Sequence, residues 1–194
     1  NKNRESMLRV IGKHKGFADK LPTILASSNL SSEAKRVWQD AFELGLEYGY
    51  RNSQTTVLAP TGTIAFLLDC DTTGIEPDIA LIKYKRMVDG GMLKIVNNSV
   101  PRALKNLGYN HEQITEIVAY VETHETIEGN EILKSEHLPI FDCAFKPLNG
   151  TRTIHHMGHL RMMSASQPFI SGAISKTVNL PESASVEDIY SAYM

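Results

Sequence analysis

The chain has 194 residues, 42% of them hydrophobic, enough to bury the core of a domain and too apolar for a disordered segment. A formal net charge of −2, with acidic and basic residues mixed along the chain, excludes the electrostatic footprint of a nucleic-acid-binding protein. Two widely separated cysteines, Cys70 and Cys143, argue against a disulfide framework or structural zinc and fit a reducing cytoplasm, and no apolar run reaches membrane-spanning length.

In chain order, residues 7–11 read as a short amphipathic piece, and residues 12–32, with Gly16, Pro22 and a Ser-Ser-Asn run, as a connector. Residues 33–48 read as a helix. Ala34, Val37, Trp38, Ala41, Phe42, Gly45 and Tyr48 recur at helical spacing, Ser31 or Ser32 is available as N-cap, and Trp38 and Tyr48 are expected in the core. Gly49 ends the helix, and the β-branched run at residues 55–59 predicts a strand.

Next comes a short apolar run that stops at Pro60, then Thr61-Gly62-Thr63, then a second apolar run from Ile64. This is the pattern of a buried strand, a tight loop and a helix start capped by Thr61 or Thr63. Such a start presents unpaired N–H groups and the positive end of the helix dipole, so Pro60, Thr61, Gly62, Thr63 and Ile64 form a candidate anion site. Gly62, with no Cβ, lets a ligand oxygen approach the backbone. A nucleotide-binding P-loop is excluded, because it needs a lysine after its last glycine.

Residues 80–88 alternate apolar and charged positions, Asp89-Gly90-Gly91 is a turn, and residues 92–96 return, so a hairpin is predicted, with Lys83 and Lys85 on a solvated face. Ser99 can cap a helix through Leu107 that Gly108 ends. Asn110 and Gln113 read as a capping box for a helix burying Ile114, Ile117, Val118 and Val121. Residues 126–150 are the least readable. His155, His156 and His159 have only one carboxylate near them in sequence, Asp142, and are read as structural histidines rather than metal ligands. Residues 160–166 predict a helix broken by Pro168, residues 174–180 a strand, and Ser185 with Asp188 the start of a last helix. The non-methionine start and an end inside that helix lead us to expect a fragment.

Three ordered blocks carry a resemblance. They are Ala59-Pro60-Thr61-Gly62-Thr63-Ile64 with Asp69-Cys70-Asp71-Thr72-Thr73-Gly74-Ile75-Glu76-Pro77; Gly158-His159-Leu160-Arg161-Met162-Met163; and Gln167-Pro168-Phe169-Ile170-Ser171-Gly172-Ala173-Ile174-Ser175-Lys176-Thr177-Val178-Asn179-Leu180-Pro181. Across these the chain resembles the adenosylcobalamin-dependent (class II) ribonucleotide reductases. The resemblance implies an α/β fold, with residues 1–194 as one segment from the C-terminal part of a ten-stranded α/β barrel. It also implies that the loop from Pro60 to Ile64 grips the phosphates of a ribonucleoside diphosphate.

Adenosylcobalamin is the cofactor the resemblance implies for the whole enzyme, with binding by this segment alone not expected. The rest of the barrel is the implied partner, room remains for a homo-oligomer, and neither nucleic acid nor membrane is implied. The family's chemistry uses three cysteines and an Asn-x-Cys-x-Glu loop. Cys70 lies between Asp69 and Asp71 and Cys143 between Asp142 and Ala144, so neither matches, and carboxylates at their sides raise a thiol pKa. No catalytic residue is therefore assigned here, and the isolated segment is expected to be inactive. The alternative is a stand-alone nucleotide-binding or interaction module without reductase activity.

Overall fold

The hairpin expected around Asp89-Gly90-Gly91 forms. Strands β1 (Ile82–Arg86) and β2 (Met92–Val96) pair antiparallel, with Ile82 opposite Val96 and Arg86 opposite Met92, and Gly90 takes φ +88° in the turn. The computed structural model describes residues 3–22, 29–86 and 88–194. Among these lie seven α-helices: α1 (Arg4–Ala18), α2 (Leu30–Tyr48), α3 (Gly62–Leu67), α4 (Ser99–Asn106), α5 (His111–His124), α6 (His156–Ser166) and α7 (Val186–Tyr193). Short 3-10 turns occupy Ser135–Phe141 and Gln167–Phe169. The chain divides into two units, Asn1–Ala59 with Arg161–Ser175, and Pro60–Leu160 with Lys176–Met194.

In the first unit α1 packs on α2, burying Met7, Ile11, His14 and Ala18. The His14 ring lies 4.9 Å from Trp38, whose ring is 6.4 Å from Phe169, so an aromatic cluster joins both parts of this unit. A hydroxyl exchange fixes the same junction. Thr56 donates through Oγ1 to the Phe169 carbonyl (2.8 Å) and accepts the Ser171 N–H (3.0 Å), while Ser171 Oγ accepts the Thr55 N–H (2.9 Å). Leu58 then pairs with Ile174 in a single parallel bridge.

The core of the second unit is Leu81, Ile82, Val100, Leu104, Tyr109, Ile117, Val121 and their neighbours, with Leu104, Ile117 and Val121 fully buried. Each such side chain contributes about 1.5–3 kcal/mol of hydrophobic stabilisation. Two capping boxes open helices as expected: Asn110 with Gln113 for α5, and Ser185 with Asp188 for α7. Gly108, at φ +89°, follows α4. Tyr109 Oη accepts the Lys134 N–H (2.9 Å) and bonds His137 Nδ1 (2.7 Å), pinning the unreadable stretch that contains the Ser135–Phe141 turn.

Several expectations change. Residues 7–18 are part of the 15-residue α1, with Gly12 and Gly16 inside it, because burial of its apolar face outweighs the glycine penalty. The start of the expected connector is therefore helical, and residues 23–28 lie outside the described residues. α2 begins at Leu30 after Asn29, so neither Ser31 nor Ser32 is its cap; Ser31 is buried and Ser32 Oγ donates to the Asn29 carbonyl (2.8 Å). Tyr48 is 75% exposed, not core, and Trp38 is half-buried. α6 starts at His156 rather than 160.

Residues 55–59 and 174–180 make no ladder beyond the Leu58–Ile174 bridge, and β1–β2 is the one sheet among the described residues. The chain thus mixes helix and strand with one antiparallel hairpin, and its sheet does not close. A strand persists only where a neighbour takes its N–H and C=O groups. Met87, inside the expected strand 80–88, and the Lys85 side chain lie outside those described. Lys83 is not solvated: its Nζ pairs with Asp78 Oδ1 (2.9 Å) and donates to the Asp71 carbonyl (2.7 Å).

Leu104→Ala is expected to cost about 2–5 kcal/mol, whereas Leu67→Ala at an exposed position should change stability by less than about 0.5 kcal/mol. Urea unfolding of the two variants checks the contrast.

Candidate functional site

The second unit opens with the candidate loop. Pro60 is exposed, Thr61 half-buried, and Gly62, Thr63 and Ile64 form the exposed first turn of α3. The first bond closing that turn runs from the Ala65 N–H to the Thr61 carbonyl (2.7 Å), so Thr61 stands at the cap position and the N–H groups of Gly62, Thr63 and Ile64 precede any intrahelical acceptor. The sequence left Thr61 and Thr63 as rival caps. Thr61 takes the place by its carbonyl, while its hydroxyl oxygen turns away from the helix and accepts the Gly74 N–H (2.9 Å).

Thr61 has φ +53°, a left-handed conformation that costs a β-branched residue on the order of 1–3 kcal/mol. The Gly74 contact holds it there. A Cβ built on Gly62 would meet no atom within 4 Å, so the backbone of the first turn can be approached at close range. Three N–H donors and the positive end of the helix dipole lie in this exposed first turn. That set can hold an anionic oxygen.

Behind the loop lies a cluster that residue patterning did not single out. Glu76, two residues after Gly74, pairs with Lys176 Nζ through Oε2 and accepts the Thr177 N–H through Oε1 (2.6 Å). Lys176 Nζ also bonds His159 Nδ1 (2.9 Å) and the Thr177 carbonyl, which occupies all three of its donors. The Lys176 side chain is 2% exposed. Burial first, and then the Lys176 ammonium, hold the His159 pKa below its usual value, so the ring is neutral and accepts through Nδ1. A lysine alternating in register with Ile174, Val178 and Leu180 was the available signal, because a charge on an apolar face needs a counter-charge.

His156 is buried on α6 with His159, and the His155 and His156 rings meet tilted by 32°, centroids 4.1 Å apart. No group of three metal-ligating side chains occurs among the described residues. Arg152 forks onto Asp142 with two 2.7 Å bonds. Cys70 is exposed. Cys143 is buried, and its thiol is pushed up to about 12 by burial first and then by Asp78 and Asp142; the sequence had credited flanking carboxylates alone. No described helix is long and apolar enough to cross a membrane.

Comparison with known proteins places these residues in context. The family model described as ribonucleotide reductase, barrel domain, matches residues 4–194. A vitamin B12-dependent ribonucleotide reductase of Rhodopirellula baltica is 53% identical over 191 residues, covering 98% of this chain and 18% of the relative. One from Streptantibioticus cattleyicolor is 55% identical over 160 residues, 82% of this chain and 26% of the relative, and one from Bradyrhizobium diazoefficiens is 36% identical, over 100% of this chain and 24% of the relative. The chain thus spans about a sixth to a quarter of the length of the curated relatives it matches.

The two thiols should react very differently. At pH 8 only about one part in ten thousand of a thiol with a pKa near 12 is thiolate. Iodoacetamide is therefore expected to label Cys70 and leave Cys143 unmodified until the protein unfolds, a difference mass spectrometry of the two peptides reads directly.

Proposed function

This chain belongs to the ribonucleotide reductase barrel-domain family, and on that premise we propose that it works as a segment of a longer adenosylcobalamin-dependent reductase, where it binds the phosphates of the ribonucleotide substrate. The observation that carries the reading is the first turn of α3. It offers three N–H donors free of intrahelical acceptors above a glycine with open space, and a threonine latched in a left-handed conformation beside them. A ribonucleoside diphosphate supplies the matching chemistry, since its phosphate oxygens are strong anionic acceptors.

In this role the chain binds and orients. The N–H groups of Gly62, Thr63 and Ile64 and the hydroxyls of Thr61 and Thr63 hold the phosphates, fixing where the ribose lies relative to groups on the rest of the enzyme. Adenosylcobalamin would supply the initiating radical. Two cavities of this chain hold only about 30 and 80 Å³, and the 610 Å³ groove between α4 and α5 is an open surface lined by Arg102, Lys105 and Glu122 as well as apolar residues, so none of these three offers an enclosed site for that group. Cofactor and reacting cysteines are therefore assigned to the remainder of the enzyme.

Unpartnered surface supports the segment reading. Leu67, Leu68 and, on α7, Val186, Tyr190 and Tyr193 are all largely exposed, and the Leu58–Ile174 bridge extends no further. Apolar side chains and open strand edges of this kind are what a larger barrel covers.

In the intact enzyme, Thr61→Val and Thr63→Val should each raise KM for the ribonucleotide by about fivefold to a hundredfold, the worth of one hydrogen bond to a charged group. Gly62→Val should raise it further. The space around a Cβ at Gly62 is open, and thermal unfolding of the variant checks that the loss does not come from misfolding. Steady-state kinetics with unchanged KM in all three variants would defeat the assignment.

Incubated anaerobically with adenosylcobalamin, a dithiol and a ribonucleoside diphosphate, the isolated chain should form no deoxyribonucleotide. Chromatographic detection of product above a no-enzyme control would contradict this.

A further inference from the structure

A charge cluster of Glu76, Lys176 and His159 joins the segment that follows the loop to residues 176–177. Lys176 is enclosed, with its three donors spent on Glu76, His159 Nδ1 and the Thr177 carbonyl, and Glu76 spends its second oxygen on the Thr177 N–H. Two residues upstream, the Gly74 N–H holds Thr61, and between them the Glu76 N–H closes a turn onto the Thr73 carbonyl (3.0 Å). Gly74 itself is at φ +53°, a conformation glycine accepts without cost. The path from Lys176 to Thr61 thus runs through one short turn closed by the Glu76 N–H.

We propose that Lys176 and Glu76 are positioning residues for the phosphate loop: their ion pair fixes the Thr73–Glu76 turn, and that turn holds Thr61 in its left-handed conformation so that the first-turn N–H groups of α3 aim at phosphate. The proposal rests on the phosphate reading of the loop. Neither residue touches substrate. Thr61 would relax toward φ < 0 without an external hold, because its branched side chain disfavours the observed conformation. The hold is the Gly74 N–H, and the Glu76 carboxylate is the one side chain of the turn anchored to a buried counter-charge.

His159 completes the anchor. Neutral and buried, it takes the last Lys176 proton through Nδ1 and so fixes the direction of the ammonium. An Arg152–Asp142 pair elsewhere in the same unit provides a comparison: it is also charge-paired and well ordered by two bonds, and none of its hydrogen bonds reaches the loop.

The test measures, in the intact enzyme, inhibition constants for a ribonucleoside diphosphate and for the matching nucleoside, which lacks phosphate. Lys176→Met is expected to weaken the diphosphate about tenfold or more, the loss of roughly one charge-assisted contact, and the nucleoside by less than about threefold. Glu76→Gln, which keeps the shape and an acceptor for the Thr177 N–H, should act in the same direction, and circular dichroism of both variants separates a loss of diphosphate binding from a loss of fold.

Arg152→Met should lower thermal stability without changing the ratio of the two constants. Gly62→Val separates the two ideas. If it abolishes the preference for diphosphate while Lys176→Met and Glu76→Gln retain it, the positioning role is wrong and the phosphate reading stands. If Gly62→Val leaves the preference intact, both fall.

Discussion

The contact on which the second unit's loop region depends is the pair of Glu76 and Lys176, in which the lysine side chain is 2% and the glutamate 23% exposed. Removing Glu76 would leave the enclosed Lys176 ammonium uncompensated, whereas removing Lys176 would leave a carboxylate that water can still reach. Glu76 bonds Lys176 and Thr177, and Lys176 bonds Glu76, Thr177 and His159, whose Nε2 is left buried without a partner. Residues 74–77 and 176–177, a hundred positions apart in sequence, are held in one arrangement by charge rather than by a β-ladder. The hydrophobic core of Leu104, Ile117 and Val121 stabilises the same unit, but through α4, α5 and the hairpin.

The loop itself uses backbone rather than side-chain charge. From Pro60 to Ile64 there is no lysine or arginine, and the only permanent positive character is that of the α3 N–H groups and dipole. An oxyanion held this way depends on direction more than on net charge, so the left-handed Thr61 and its Gly74 contact matter in proportion. Affinity for phosphate alone would be modest. In a longer reductase, contacts from other segments to the base and ribose would add to it.

What the sequence made legible was local. The Asp89-Gly90-Gly91 turn and the capping boxes at Asn110 and Ser185 each carry their own chemistry within a few residues, and each forms, whereas the strand expected at residues 55–59 is reduced to the Leu58–Ile174 bridge. The illegible parts are those that distant residues decide. Trp38 and Tyr48 share a helical stripe, yet Trp38 meets His14 and Phe169 while Tyr48 points to solvent. Lys83 looked like a solvated charge on a strand, until Asp78 and Asp71 were brought to it. Residues 174–180 had the β-branched content of a strand, but Lys176 and Thr177 are claimed by Glu76 instead. Of the candidate site, the loop was readable and the cluster that supports it was not, although a lysine in apolar register pointed to a hidden counter-charge.

The central claim is that the first turn of α3 receives substrate phosphate, and backbone amide exchange reads that turn most directly. In the intact enzyme, a saturating ribonucleoside diphosphate should slow hydrogen–deuterium exchange in a peptide covering residues 60–67, because the Gly62, Thr63 and Ile64 amides gain an acceptor. The corresponding nucleoside should leave that peptide unchanged. Equal exchange with and without bound diphosphate would place the phosphates elsewhere and contradict the account.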